Sequence, residues 1–493
     1  MRKSSARIVV VGFVLAVFQA TLGAQRLSTE VKSPHFTVVS NDFESTARAV
    51  AWQLEQVRAA LQNVWAWARL DTGRPIVVLA LKDEGSMKAL APQYWEQKGG
   101  VRPTSVFVEG ADRYFIALRT DVKTSDRDGM NPHIDAYWSY VALVLNSSFD
   151  GDLPLWFLRG LSSVFSNTLV RDNEIQVGRL IPWHLERLHV DSRLTLRELM
   201  TVDRRSPWYS DADRLQTLDA VSWGLVHYLM FGDNGTHRQS FDRFMSSIRA
   251  GHPAAAATEE AFGNIDALQG GFSHYCSRHL FEYLKIGVDA RTKREALPVR
   301  KVAPAESAAL RGAFHASMGR TAEARAAADE ARRAEAQLPS PYEVDGTLLD
   351  GERKFDDARA AYAKAVDLGS TNFYAHYRLA ALTFRAGADA DRMAAVKSTL
   401  ERAVALNGRY APALALLAEV NARLKHSDEA MAAALRAISL EPGSVHHRLS
   451  LARVLWALSR PDDAKSEARR AMTMARSDSD RQDVQELINF FER

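Results

Sequence analysis

Apolar positions along this chain alternate between strand and helix periods. Residues "HFTVVSND" place Val and Thr in a short run closed by Asn41 and Asp42, the pattern of a strand and its turn. Ala47, Val50, Leu54, Val57, Leu61 and Val64 then recur at helical spacing, predicting one long amphipathic helix. "RPIVVLALKD" and "SVFVEGADRYFIALRT" revert to strand patterning, the latter a pair joined around Glu109 to Asp112 with Gly110 supplying turn chemistry. From Asn131 to about Lys285 the pattern is helical, except for "EIQVGRLI", a short strand stopped by Pro182. The expected product is a small mixed sheet with a helical lobe, an α+β domain over 35–285.

Residues 286–304, "GVDARTKREALPVRKVAPA", combine charge and two prolines without periodicity, so they read as a linker. Beyond them the composition shifts to Ala, Arg, Leu and Glu, and a repeat explains the shift. Segments beginning near 305, 339, 373, 411 and 445 share a small residue at the eighth position: Gly312, Gly346, Ala380, Ala418 and Ala452. Ala324, Ala358, Ala430 and Ala464 hold the twentieth position, and Ala331, Ala365, Ala437 and Ala471 the twenty-seventh. Small residues at fixed places let two antiparallel helices approach, and stacking the pairs buries a core that one pair could not. A period near 34 residues with this pattern resembles tetratricopeptide repeats, implying an all-α solenoid over 305–493 whose groove binds a protein or peptide. The third repeat departs, with Val396 at the twentieth place and about four extra residues near "GADADR", which predicts a longer loop between its helices.

Charge and composition narrow the partners. Sixty-three basic and 60 acidic residues leave a formal charge of +3, with no nucleic-acid footprint. Residues 1–24 pair Arg2, Lys3 and Arg7 with a short apolar run and small residues at Gly23 and Ala24, the grammar of a cleaved signal peptide, so the expected location is periplasmic or secreted. The apolar run is shorter than the roughly 20 residues of a spanning helix. The single cysteine, Cys276, cannot form an internal disulfide; with His274 and His279 nearby it is either a nucleophile or a buried structural thiol.

Order and spacing of "HFTVVSN", "VVLALKDEGSMKALAPQYWEQKG", "VFVEGADRYFIALR", "LPLWFLRGLSSVFSNT" and "SWGLVHYLMFGDNG" give His35 to about Tyr283 a resemblance to a peptidase-MA-like, gluzincin-like domain of uncharacterised bacterial proteins, often fused to tetratricopeptide repeats. In that family the stretch near Trp138 reads like His-Glu-x-x-His and the stretch near Arg159 like Asn-Glu-Gly-x-Ala-Glu. The resemblance implies a zinc ligand at Trp138, the general base at Ser139, a second ligand at Ala142 and the third at Arg159, with a further acidic position at Ser163. Every one of those side chains is replaced. Indole and methyl offer a metal no lone pair, a serine hydroxyl is a poor substitute for a carboxylate, and a guanidinium repels a cation.

His133 has Ile134 where the base belongs. His184 and His189 are five apart, about 140° around a helix, so they cannot share a metal. His227 sits on an apolar helix beside Trp223 and Tyr228, the setting of a hydrogen-bonded core histidine. No catalytic residue, metal site or cofactor is therefore expected, zinc included. Leu153, Pro154, Trp156 and Gly160 keep the frame of the motif, so the cleft would persist, lined by Trp138, Ser139, Arg159 and Ser163, with Arg159 paired to Asp135 or Asp152 or left to hold an anion. The expectation is an exported, non-catalytic binding scaffold; the competing one is an active zinc-dependent or other hydrolase with an unrecognised site.

Overall fold

The computed structural model describes residues 26–96, 102–123, 129–190, 194–387 and 389–492. The expected signal peptide, 1–24, lies outside them. The chain divides into two compact units. One comprises the residues up to Thr72, Ile76–Val108 and Phe115–Val302; the other comprises Ala303 onward with two short earlier pieces, Gly73–Pro75 and Glu109–Tyr114.

The first unit is built on strands β1 (Thr29–Lys32), β2 (Phe36–Ser40), β3 (Ile76–Leu81), β4 (Ser105–Glu109), β5 (Tyr114–Arg119), β6 (Leu169–Val170), β7 (Glu174–Val177), β8 (Leu284–Gly287) and β9 (Val299–Lys301). Six of them form a mixed sheet in the order β4-β5-β3-β2-β1-β9, and β6-β7-β8 form a small second sheet. β2 runs parallel to β3, with Phe36 opposite Ile76. All six residues of β3 are buried, as an apolar run in mid-sheet should be. Helix α1 (Glu44–Val64) lays Leu54, Val57 and Leu61 on this sheet, each at most 1% exposed. On the same helix, buried Glu55 accepts hydrogen bonds from Ser33 Oγ and from His35 N and Nδ1 at 2.7–2.8 Å. Burial by itself raises the pKa of this carboxyl, but those donors outweigh it and hold the group below the usual range.

The helical lobe contains α2 (Glu84–Leu90), α3 (Ile134–Ser148), α4 (Leu155–Ser166), α5 (Pro182–Val190), α6 (Ala212–Phe231), α7 (Arg238–Arg249), α8 (Ala254–Phe262) and α9 (Ile265–Cys276). Its centre is α4, which packs on α3 and α6. Gly160 makes the α4–α6 approach possible, because a Cβ there would lie 2.3 Å from the Ser222 carbonyl oxygen. Trp156 and Phe157 fill the other side of α4 against Phe241 and Phe244, with ring centroids 5.0–5.9 Å apart.

Residues 286–304 are not a free linker. β8 pairs with β7, and β9 adds an edge to the main sheet with Val31 opposite Val299. "VRK" is too short and charged to register as a strand, yet an edge strand needs only one covered face.

The second unit is a stack of helix pairs: α10 (Pro304–Ser317) with α11 (Thr321–Ala334), α12 (Ser340–Gly351) with α13 (Phe355–Asp367), α14 (Phe373–Arg385) with α15 (Ala390–Leu406), α16 (Ala411–Arg423) with α17 (Ser427–Leu440), and α18 (Val445–Ala457) with α19 (Pro461–Met474). α20 (Asp478–Phe491) closes the stack with Val484, Leu487 and Phe491. The small residues lie where the helices meet: Ala324, Ala331, Ala358, Ala365, Ala430, Ala437, Ala464 and Ala471 are all 0% exposed.

Each turn between paired helices has one left-handed residue, Gly319, Arg353, Gly387, Lys425 and Ser459, at φ 57–87°. This conformation ends the first helix and redirects the chain. In the third pair α15 is 17 residues long against 13 or 14 for the second helices of the other pairs, so the insertion is mostly helix rather than loop. Val396, 2% exposed, fills the alanine position there.

Candidate functional site

In the first unit the structure brings together three of the positions singled out by the peptidase-like motif. α3 carries Trp138 and α4 carries Arg159 and Ser163; the crossing of these helices sets Trp138 Nε1 3.1 Å from Ser163 Oγ, to which it donates. The Arg159 guanidinium lies over the Trp138 ring at 5.4 Å and over Tyr209 at 5.9 Å. Ser139 is half-buried on α3 and Ala142 is 8% exposed.

Arg159 makes its two-pronged pair with Asp219 on α6, Nη2 to Oδ2 at 2.7 Å and Nε to Oδ1. This corrects the expected partners Asp135 and Asp152: α4 turns Arg159 toward the helix that crosses it at Gly160, and Asp219 comes from that helix. Asp219, the one acidic residue in "LDAVSWGLVHYLMF", was the available signal.

Asp219 also lines a cleft of ≈ 480 Å3 with Trp183, His184, Glu186, Arg187, Val190 and Gln216. Trp183 and Val190 stand 50% and 78% exposed at its rim. Burial, reinforced by the charge of Arg159, pushes His184 down to about 3, so it is neutral at physiological pH. Arg187 spans to Thr217 Oγ1 at 2.7 Å and to Asp213 at 2.8 Å.

Zinc does not fit the motif positions. Trp138 spends its N–H on Ser163, Ala142 has no donor, and the place of a third carboxylate holds a cation already bound to Asp219. Among the described residues no cluster of three or more His, Cys, Asp or Glu is arranged for a metal. His189 reaches the Cys276 carbonyl oxygen at 3.0 Å instead of sharing a site with His184. His227 is fully buried between Tyr275 OH at 2.8 Å and Gly178 O at 2.7 Å, and burial lowers it to about 4. Burial likewise pushes the Cys276 thiol up to about 12, which removes it as a thiolate nucleophile at neutral pH. The frame residues Trp156 and Gly160 both have packing roles that account for them without a ligand.

In the second unit the first helices of successive pairs touch one another, as α10 with α12 and α16 with α18, so these helices line the inner face of the stack. That face is aromatic and charged. Tyr374 and Tyr377 on α14 surround Tyr410, with ring centroids 6.3 and 5.2 Å away. Arg423 lies 4.1 Å over Phe384, and Arg378 pairs with Asp350 at 2.5 Å. Tyrosine and arginine are among the side chains that carry most energy in protein interfaces.

Residues 411–444 match the family model of the tetratricopeptide repeat. Among solved structures, the chain is similar to YrrB, a TPR protein described with an unusual peptide-binding site, at 16% identity over 37% of this chain and 92% of that one, TM-score 0.32. It is also similar to a thermophilic TPR protein of Thermus thermophilus, at 20% identity over 38% and 98% of the two chains, TM-score 0.29, and to pilF of Pseudomonas aeruginosa, at 11% over 50% and 97%, TM-score 0.30. No curated protein matches the chain. Among the described residues no helix is long and apolar enough to cross a membrane.

Proposed function

We propose that the chain is an exported, non-catalytic scaffold in which a peptidase-like frame without its zinc ligands is joined to a repeat array that binds a protein segment. The observation that supports the first half is the Trp138–Ser163 and Arg159–Asp219 closure, which engages three of the motif positions in contacts with one another and with α6. The repeats supply the interaction surface through the aromatic and arginine side chains of α14 and α16. Export rests on the pattern of residues 1–24, and the balanced charge argues against nucleic acid as the partner.

Affinity capture by the full chain tests the reading. Tyr377→Ala combined with Arg423→Ala should remove the captured partner, while Trp138→Ala leaves it bound. Capture that survives the double substitution and is lost with Trp138→Ala would move the binding surface to the first unit.

A further inference from the structure

The second unit contains a piece of chain that is not a repeat. The turn Glu109–Tyr114 closes on itself through Gly110 N to Arg113 O at 2.9 Å, and its tip lies among the repeat helices. A Cβ at Gly110 would stand 2.6 Å from Ser317 Oγ, at the end of α10, so the turn approaches this helix as closely as a glycine permits.

Further along the same inner face the contacts become ionic. Asn372, which caps α14, donates from Nδ2 both to Asp112 at 2.7 Å and to Glu343 of α12 at 3.0 Å. Ser370 Oγ adds a second donor to Glu343 at 2.6 Å. Arg113 sits beside Asp112, its Nε 2.9 Å from Oδ2, and the two side chains are only 23% and 16% exposed. Burial raises the Glu343 pKa against the pull of Ser370, Asn372 and Arg113. Two half-buried carboxylates thus share one amide, and the turn's own arginine is the cation that acts on both.

Behind the turn, Arg74 holds Glu109, the Gly110 carbonyl oxygen and Tyr114 OH, lying 4.3 Å over the Tyr114 ring. Asn407, just before α16, donates to Gly73 O at 2.6 Å.

We infer that the inner face of the first three repeats is a recognition site for a turn bearing adjacent carboxylate and guanidinium groups, and that Glu109–Tyr114 occupies it as a ligand in cis. The reason is complementarity: Asn372 presents a donor to Asp112, and Glu343, held in place by Ser370 and Asn372, presents a negative charge to Arg113. A partner reaching this face carries the same acid–base pair and displaces the turn. This rests on the proposed binding role of the repeats and specifies its occupant.

A labelled peptide with the sequence of residues 107–116, VFVEGADRYF, is the probe, and the protein is the full chain. A tethered ligand competes at an effective concentration on the order of millimolar. The peptide should therefore bind the Asp112→Ala, Arg113→Ala chain at least about tenfold more tightly than wild type. Binding should disappear when Asn372→Ala is added, or when the peptide's own Asp and Arg become Ala. In that variant Glu343 keeps its donors Ser370 and Asn372, and an unchanged circular-dichroism melt confirms that the variant is folded. Equal affinity for wild type and variant, or no binding to a folded variant, overturns the inference. If the groove substitutions still abolish partner capture, only the cis ligand falls; if capture is also unaffected, the scaffold reading falls with it.

Discussion

The two units solve the burial of a core in opposite ways. In the repeats, each structural demand is met five times: an alanine or glycine at the eighth position, where paired helices cross, and a left-handed residue of varying type where the first helix ends. In the first unit each demand is met once. Gly160 at the α4–α6 crossing, Glu55 beneath Ser33 and His35, and His227 between Tyr275 and Gly178 have no counterparts among the described residues of the unit to share their task. A repeat stack spreads its stability over neighbouring interfaces, whereas a one-off core concentrates it in a few contacts.

Acid should expose the difference most. His133, His184 and His227 in the first unit are pushed down by burial to about 4, 3 and 4; in the repeats His315 falls to about 4. Each is neutral when folded, while the unfolded chain takes up its proton near pH 6.5, so the stability they support is present above that value and lost as pH falls toward 4. By pH 5 the loss is roughly 2 kcal/mol per histidine. Hydrogen exchange between pH 7 and 5 should show the first unit, with three such groups, opening before the repeats; simultaneous opening would contradict this.

The same substitution in the two units should also part them. Gly160→Ala forces a methyl to within 2.3 Å of a backbone carbonyl and is expected to cost about 3 kcal/mol. Gly312→Ala meets the Ala324 carbonyl oxygen at 3.3 Å, and the helical preference of alanine offsets much of that strain, leaving a change within about 1 kcal/mol. Thermal melts of the two variants measure both. Smallest, and stabilising, is Ser459→Gly: relief of a left-handed serine at φ 57° should add about 1 kcal/mol.

This contrast explains what could be read from the sequence. Alanine at fixed intervals is visible because it recurs, so the helix pairs beginning near 305, 339, 373, 411 and 445 lie where the period put them. The left-handed turns escaped notice because Arg353, Lys425 and Ser459 are not glycine and only position marks them. In the first unit β2, β3, β4, β5 and β7 were legible from their apolar runs. β9 was not, since three residues at a sheet edge have no period. The proximity of Trp138, Arg159 and Ser163 followed from the helix, loop and helix arrangement, but Asp219 comes from 60 positions further on and only the crossing at Gly160 brings it to Arg159. Asp112 read as a turn residue; that it faces Asn372 depends on chain 260 positions away.

The proposed function turns on the motif positions Trp138, Arg159 and Ser163 serving contacts among side chains rather than a metal. Elemental analysis of the purified full chain, equilibrated with zinc and then desalted, tests it most directly. The account predicts substoichiometric zinc, unchanged by Arg159→Ala; one tightly held zinc per chain would contradict it.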